Sequence, residues 1–341
     1  MRKTPDPLCS GLGESVSIGL LVGCTPRLGA APEDNMSAAP RAAHGRITVP
    51  EISSRKPHFP AGSPEASIES RPGSKQKITC LTAYDYPTAR LLDDAGVDIL
   101  LVGDSLGMTV LGYDSTLPVT LDEVIHHTRA VRRATQHALV VADMPYGSFH
   151  VSLDDSVRNA VRLVKEGGAE AVKVEGGERR IELIARLVDA EIPVMGHVGL
   201  TPQSFNAMGG FHVQGKTSDA ARQVERDARA VEAAGAFAVV LESMPRELAA
   251  RITQKLRIPT IGIGAGPDCD GQVLVIHDLL GLGEGHRPKF VRQYANLSAE
   301  ISRAVSAYCD DVRVGAFPSD AESYHSAAEL GEHAVPASPR R

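Results

Sequence analysis

From Lys77 onward, short apolar runs rich in β-branched residues alternate with longer stretches in which apolar positions recur every three or four residues. The runs are KITCLTAYD (77–85), VDILLVGDS (97–105), HALVVADMP (137–145), AEAVKVEGG (169–177), IPVMGHVGL (192–200), AFAVVLES (236–243) and IPTIGIGAG (258–266). Continuous apolar runs of this length predict strands buried on both faces of a parallel sheet. GQVLVIHDLLG (271–281) is an eighth, weaker run.

The intervening stretches carry helix punctuation. Thr120 and Glu123 form a Thr-x-x-Glu capping box ahead of a stripe through Leu121, Val124, Ile125 and Val131, with Arg132 and Arg133 at its end. Val157, Val161 and Val164 make a second stripe, stopped by Gly167 and Gly168; Val224, Ala228 and Val231 make a third, stopped at Gly235. Leu248, Ile252 and Leu256 make a fourth, ending before Pro259. Strands alternating with helices over about 250 residues predict a closed (β/α)8 TIM barrel. The competing architecture is a doubly wound sheet with GIGAG as a nucleotide loop. That loop follows the seventh strand, lacks full GxGxxG spacing and has no acidic residue on a following strand end, so the barrel is preferred.

Residues 1–76 look different. They hold ten of the 22 prolines, mixed with Ser, Gly and Ala, and no sustained apolar period. The expected organisation is therefore an unpacked extension over 1–76, a catalytic barrel over 77–325 and a flexible tail over 326–341. Within the extension, Leu21-Val22-Gly23-Cys24 resembles a lipoprotein cleavage box, which would mean export. The preceding run, Val16 to Val22, is short and broken by Ser17 and Gly19, unlike a signal-peptide core. Met36 offers an alternative start.

Composition narrows the function classes. With Lys+Arg 36 against Asp+Glu 42, the net charge of -6 gives no bulk attraction to nucleic acid or an anionic membrane, and no apolar stretch is long enough to span a bilayer. Five scattered cysteines without a CxxC pair argue against a disulfide framework and for a reducing cytoplasm.

In a barrel enzyme the chemistry sits at the C-terminal strand ends. Here those ends carry Asp104-Ser105, Asp143, Lys173-x-Glu175, His197 and Glu242 on five consecutive strands. Any one of them fits an ordinary strand end satisfied by loop amides. Together they form a set of charges that must neutralise one another or a bound ion. Asp104 and Asp143 are hard oxygen ligands suited to Mg2+. Lys173 and Glu175, two apart, face the same side of their strand, Lys173 to meet a substrate carboxylate and Glu175 to orient metal waters. Glu242 is then the candidate base for a proton next to a carbonyl. The remaining histidines have no ligand-like spacing: His126 and His127 are expected on a helix surface, and His137, His277 and His286 in structural roles.

Several blocks resemble the ketopantoate hydroxymethyltransferase family: TAYDY (82–86), LLVGDSLGMTVLGYDSTLPVT (100–120), ADMP (142–145), VKVEGGE (172–178), GHVGLTPQS (196–204), GGFHVQG (209–215), VLESMPRELAARIT (240–253) and IGIGAGPDCDGQVLV (261–275). The resemblance implies a barrel of the phosphoenolpyruvate/pyruvate type. It also implies transfer of a hydroxymethyl group from methylenetetrahydrofolate to 3-methyl-2-oxobutanoate, giving 2-dehydropantoate. It makes Asp104 and Asp143 magnesium ligands with Glu175 close by, Ser105 and Lys173 carboxylate-binding residues, Glu242 the base, and Tyr84 and His197 pocket residues. The family's decameric assembly implies a homo-oligomer. The alternatives are another lyase or mutase of the same barrel group, or a non-catalytic binding protein.

Overall fold

The structure is a computed structural model and describes residues 45–56, 76–283 and 287–325. Eight strands, β1 (Ile78–Thr82), β2 (Ile99–Val102), β3 (Leu139–Asp143), β4 (Ala171–Glu175), β5 (Val194–Gly199), β6 (Ala238–Glu242), β7 (Thr260–Ile263) and β8 (Gly271–Leu274), pair in chain order, and β8 closes on β1. All eight pairings are parallel. The apolar runs of the sequence are thus the staves of one barrel.

The helices follow the strands. A short α1 (Val49–Ser54) precedes β1, and α2 (Tyr86–Asp94) follows it. Then come α3 (Leu106–Thr109) and α4 (Leu121–Ala134) after β2, α5 (Leu153–Arg162) after β3, and α6 (Ile181–Asp189) after β4. α7 (Phe205–Met208) and α8 (Ser218–Ala233) follow β5, α9 (Arg246–Lys255) follows β6, and α10 (Ile276–Leu280) and α11 (Leu297–Val314) follow β8. The capping box at Thr120 and Glu123 forms in both directions, so two orphan amides at the start of α4 are satisfied by side chains. One expected alternation is missing: β7 passes to β8 without a helix. The two strands are four residues each, so the return of about 13 Å lies within reach of the seven residues between them, and no helical crossover is needed.

Two cores result. Val124, Val131, Leu163, Ile184, Leu187, Val231 and Leu248 pack between helices and the outer faces of the strands. The second lies inside the barrel and takes alternate residues: Ile78 and Cys80, Ile99 and Leu101, Leu139 and Val141, Ala171, Met195, Ala238 and Val240, Ile261, and Val273. The strand register matches these rows, pairing Cys80 with Ile99, Ile99 with Leu139, Val141 with Ala171, and Met195 with Ala238.

The expectation that nothing before residue 77 packs is corrected by residues 45–56. Ile47 and Ile52 are buried in the same cluster as the interior rows, and Ile47 N donates to His137 O at 2.7 Å. The segment also neutralises acids just ahead of the strands: Arg46 pairs with Glu170 at 2.7 Å, Arg55 with Asp98 at 2.9 Å, and Lys56 with Asp270 at 2.8 Å. The signal is in the sequence, since Thr48 accepts from Glu51 N and Pro50 sits in the first turn of α1, the pattern of a helix start. The proline-rich surroundings masked it. The lipoprotein-like box, Met36, His286 and the tail after residue 325 lie outside the described residues.

Removing one partner of a buried ion pair strands the other charge, and truncating a buried isoleucine leaves a cavity. Lys56→Ala is therefore expected to lower stability by about 3–5 kcal/mol, and Ile52→Ala by about 2–5 kcal/mol. Denaturant midpoints measure both; wild-type midpoints would mean that residues 45–56 do not close this end of the barrel.

Candidate active site

The interior rows change character one step before the strands end. On β4, Ala171 belongs to the apolar interior, and Lys173 and Glu175, two and four residues on, line a cavity at the strands' C-terminal ends. Asp143 follows Val141 on β3, His197 follows Met195 on β5, and Glu242 follows Val240 on β6 in the same way. The cavity is about 190 Å³, and Asp104 and Ser105 enter it from the loop after β2. Every strand-end residue proposed from sequence is thus brought to one place. The exception is Tyr84, which lies behind the wall and reaches it through its hydroxyl, 2.8 Å from Ser105 Oγ.

Register decides who meets whom. Asp143 is opposite Lys173, and their charged atoms lie 2.9 Å apart with both side chains buried. Glu175 is opposite His197, whose Nδ1 lies 3.4 Å from Glu175 Oε1 and whose Nε2 lies 3.0 Å from Glu242 Oε2. His197 therefore spans two carboxylates. Asp104 N donates to Asp143 Oδ2 at 3.0 Å, tying the loop after β2 to β3.

The backbone around these groups leaves little slack. A Cβ on Gly103 would stand 2.8 Å from Ser105 Oγ and 3.4 Å from Asp143 Oδ2. Ser243, directly after Glu242, has φ 47, a conformation costly for a residue with a side chain; its N–H is held by Ile263 O.

Charge balance sets the protonation pattern. Burial, followed by the nearby Asp143 and Glu175 charges, pushes the Asp104 carboxyl well above the ordinary carboxylate range. Burial alone would raise Glu175 too, but His197, Lys173 and the Gln203 N–H outweigh it and hold Glu175 low. For Lys173, burial works against the charge, yet Asp143, Glu175 and Asp104 together raise its pKa above the usual lysine value. Burial and Lys173 oppose a charged His197; Glu175 and Glu242 prevail and lift it to about 9. The four carboxyl groups outnumber the two cationic side chains, Lys173 and His197, an excess of acid that a divalent cation would balance.

The donor set fits such a cation in part. Asp143 Oδ1 and Glu175 Oε1 are buried without a hydrogen bond and have only their charge contacts with Lys173 and His197. Among the described residues, however, no group of three His, Cys, Asp or Glu side chains is arranged to hold a metal ion. Glu175 instead accepts from Gln203 N at 3.0 Å and faces His197. Asp104 and Asp143 remain as two neighbouring hard ligands, and two carboxylates completed by water and substrate are a usual Mg2+ arrangement.

Sequence reasoning missed two contributors. His127, expected on the surface, is half-buried, and its Nδ1 lies 2.6 Å from Tyr84 O, so it fixes the segment carrying Tyr84. Gln203, in the turn after β5, is buried against Asp104 and Glu175. The TPQS block contains it, but a glutamine is not a titratable group and nothing in the linear text marked it.

Comparison with known proteins identifies the family. A sequence model described as ketopantoate hydroxymethyltransferase matches residues 65–320. The chain belongs to this family. The 3-methyl-2-oxobutanoate hydroxymethyltransferase of Koribacter versatilis (strain Ellin345) is 64% identical over 248 residues, covering 73% of this chain and 84% of that protein. The protein of the same name from Geobacter metallireducens (strain ATCC 53774 / DSM 7210 / GS-15) is 56% identical over 257 residues, 75% of this chain and 96% of that one. Among solved structures, phosphonopyruvate hydrolase in complex with oxalate and Mg++ is 17% identical with a TM-score of 0.48, covering 72% of this chain and 88% of that chain. The barrel assignment rests on the closed strand order and needs no support from that distant likeness.

The buried Asp143–Lys173 pair makes a stability prediction of its own. Lys173→Met strands the buried Asp143 carboxylate and is expected to cost about 3–5 kcal/mol. Adding Asp143→Asn should recover part of the loss. A double-mutant cycle on denaturant midpoints reads the coupling, and simple additivity would show that the two charges do not depend on each other.

Proposed function

We propose that this chain transfers a hydroxymethyl group from methylenetetrahydrofolate to 3-methyl-2-oxobutanoate, giving 2-dehydropantoate. The observation that carries the reading is the convergence of Asp104, Asp143, Lys173, Glu175, His197 and Glu242 on one cavity in a chain of this family. A divalent cation, Mg2+ for preference, would be held by Asp104 and Asp143 with Glu175 nearby, and when bound would polarise the keto oxygen of the oxoacid.

The chain's own residues supply the rest. Lys173, fixed by Asp143 and buried, and Ser105, positioned by Tyr84, receive the substrate carboxylate. Glu242 takes the proton from C3, and His197 holds one oxygen of that carboxylate in place. The C3 carbanion, delocalised as the enolate, attacks the methylene carbon and forms the new C–C bond. Before that attack, water adds to the methylene carbon and both of its C–N bonds to the folate break, the two nitrogens taking the water protons and the oxygen staying on the carbon; after it, the alkoxide takes up the proton that Glu242 removed, and tetrahydrofolate leaves. Exposed Phe211 and Met108 at the cavity mouth offer apolar surface to the folate.

Three further parts of the reading have separate support. Ile301, Val305, Tyr308 and Val312 form an exposed apolar stripe on α11, which favours a homo-oligomer, and family resemblance makes that a decamer. Cys80, Cys269 and Cys309 are free thiols, which suits a reducing cytoplasm. No helix among the described residues is long and apolar enough to cross a membrane, and small molecules rather than nucleic acid or lipid are the partners proposed.

Two measurements test the assignment. Turnover of 3-methyl-2-oxobutanoate should require methylenetetrahydrofolate and a divalent metal and should stop on chelation. Glu242→Gln should abolish exchange of the substrate's C3 hydrogen with solvent deuterium while substrate binding persists; undiminished exchange would remove Glu242 from the role of base.

A further inference from the structure

Gln203 is a buried side chain at the centre of the site that the mechanism above does not use. Its Nε2 donates to Asp104 Oδ2 at 2.8 Å and to Met144 O at 2.9 Å, and its backbone N–H donates to Glu175 Oε2 at 3.0 Å. Because the Met144 carbonyl can only accept, the amide is oriented one way, with its NH2 end toward Met144 O and Asp104 Oδ2. Its Oε1 is then buried without a hydrogen-bond partner. One residue thus reaches the loop after β2, the end of β3 and the end of β4.

The pattern of occupied oxygens gives this a purpose. Asp104 Oδ2 is taken by Gln203, and Asp143 Oδ2 is taken by Asp104 N. Protein donors therefore occupy Oδ2 of both aspartates. Asp143 Oδ1 keeps only its charge contact with Lys173. Two carboxylates this close repel each other, and a neutral amide can fix one of them without adding a cation that would compete with a metal. An Arg or Lys in place of Gln203 would cancel the charge deficit that draws the ion in.

The structure also explains why the residue is rigid. Gln203 sits in a 3-10 turn, Pro202–Ser204, braced by Pro202, by Ser204 N to Thr201 O at 2.8 Å and by Thr201 Oγ1 to Ser204 Oγ at 2.9 Å. On the other side of Thr201, Leu200 N is bound to Glu242 O at 3.0 Å. The turn that carries the amide is thus anchored to the strand that carries the proposed base.

We infer that Gln203 is a positioning residue that holds Asp104 and Glu175 in a geometry competent for a divalent cation, with its Oε1 available to accept from a water or ligand donor there. This rests on the metal reading proposed above. Mn2+ binding to the purified full chain, followed by the electron paramagnetic resonance of free Mn2+, separates the two ideas. Wild-type protein that fails to bind Mn2+ would overturn the metal reading and this inference together.

If wild type binds, Gln203→Met, which keeps the backbone N–H and side-chain length but loses the amide, should weaken Mn2+ binding by about tenfold or more. Gln203→Asn, one methylene shorter, should do the same. Thermal midpoints with chelator and with Mn2+ give the second readout: both variants should lose most of the Mn2+-induced rise. Ile52→Ala, remote from the site, should lower both midpoints and keep the rise. Binding within about twofold of wild type, or a Gln203 variant that behaves like Ile52→Ala, would show that the amide serves only the fold.

Discussion

A closed barrel has one interior, and every second residue of each strand must face it. That constraint governs this protein from end to end. At the lower levels the inward positions are aliphatic, and Ile78, Ile99, Leu139 and Met195 fill the space with no polar atom to satisfy. Continuing the same period delivers Asp143, Lys173, Glu175, His197 and Glu242 to the upper end, where each would be expensive to bury alone. Closure forces them to share one space, and the parallel register sets acid against base.

The solution is not full neutrality. Lys173 and His197 offset part of the negative charge, and burial together with the nearby Asp143 and Glu175 charges pushes the Asp104 carboxyl well above its ordinary range. Under the proposed function the same excess would serve substrate chemistry, because a cation that balanced the carboxylates would be available to an oxoacid arriving through the open end. Stability and function therefore draw on the same charges. The barrel meets the resulting strain with aliphatic packing below and with ion pairs from residues 45–56 at the opposite end.

Much of this was legible in the linear text. The eight runs all became strands, the capping box at Thr120 formed as written, and the Lys173-x-Glu175 spacing placed both side chains in the cavity. Three features were not legible for physical reasons. Helix α1 owes its place to the open end of the barrel that it covers, and six residues carry too little periodicity to stand out among prolines. The missing helix between β7 and β8 depends on strand length, which the apolar run overstated. Gln203 and His127 act through hydrogen bonds to groups 99 and 43 residues away, and no local pattern encodes such a pairing.

The sequence by itself determined the strand period, the helix stops and the chemical types placed at each strand end, because side-chain direction in a strand follows from spacing alone. Family membership was also carried there, in blocks whose residues are now known to line or brace the cavity. Tertiary structure alone decided which charges pair, which oxygen atoms of Asp104 and Asp143 are already occupied, and that His197 stands between Glu175 and Glu242. Those facts depend on the register between neighbouring strands and on where a loop turns. Both are fixed only when the barrel closes and its interior must be filled.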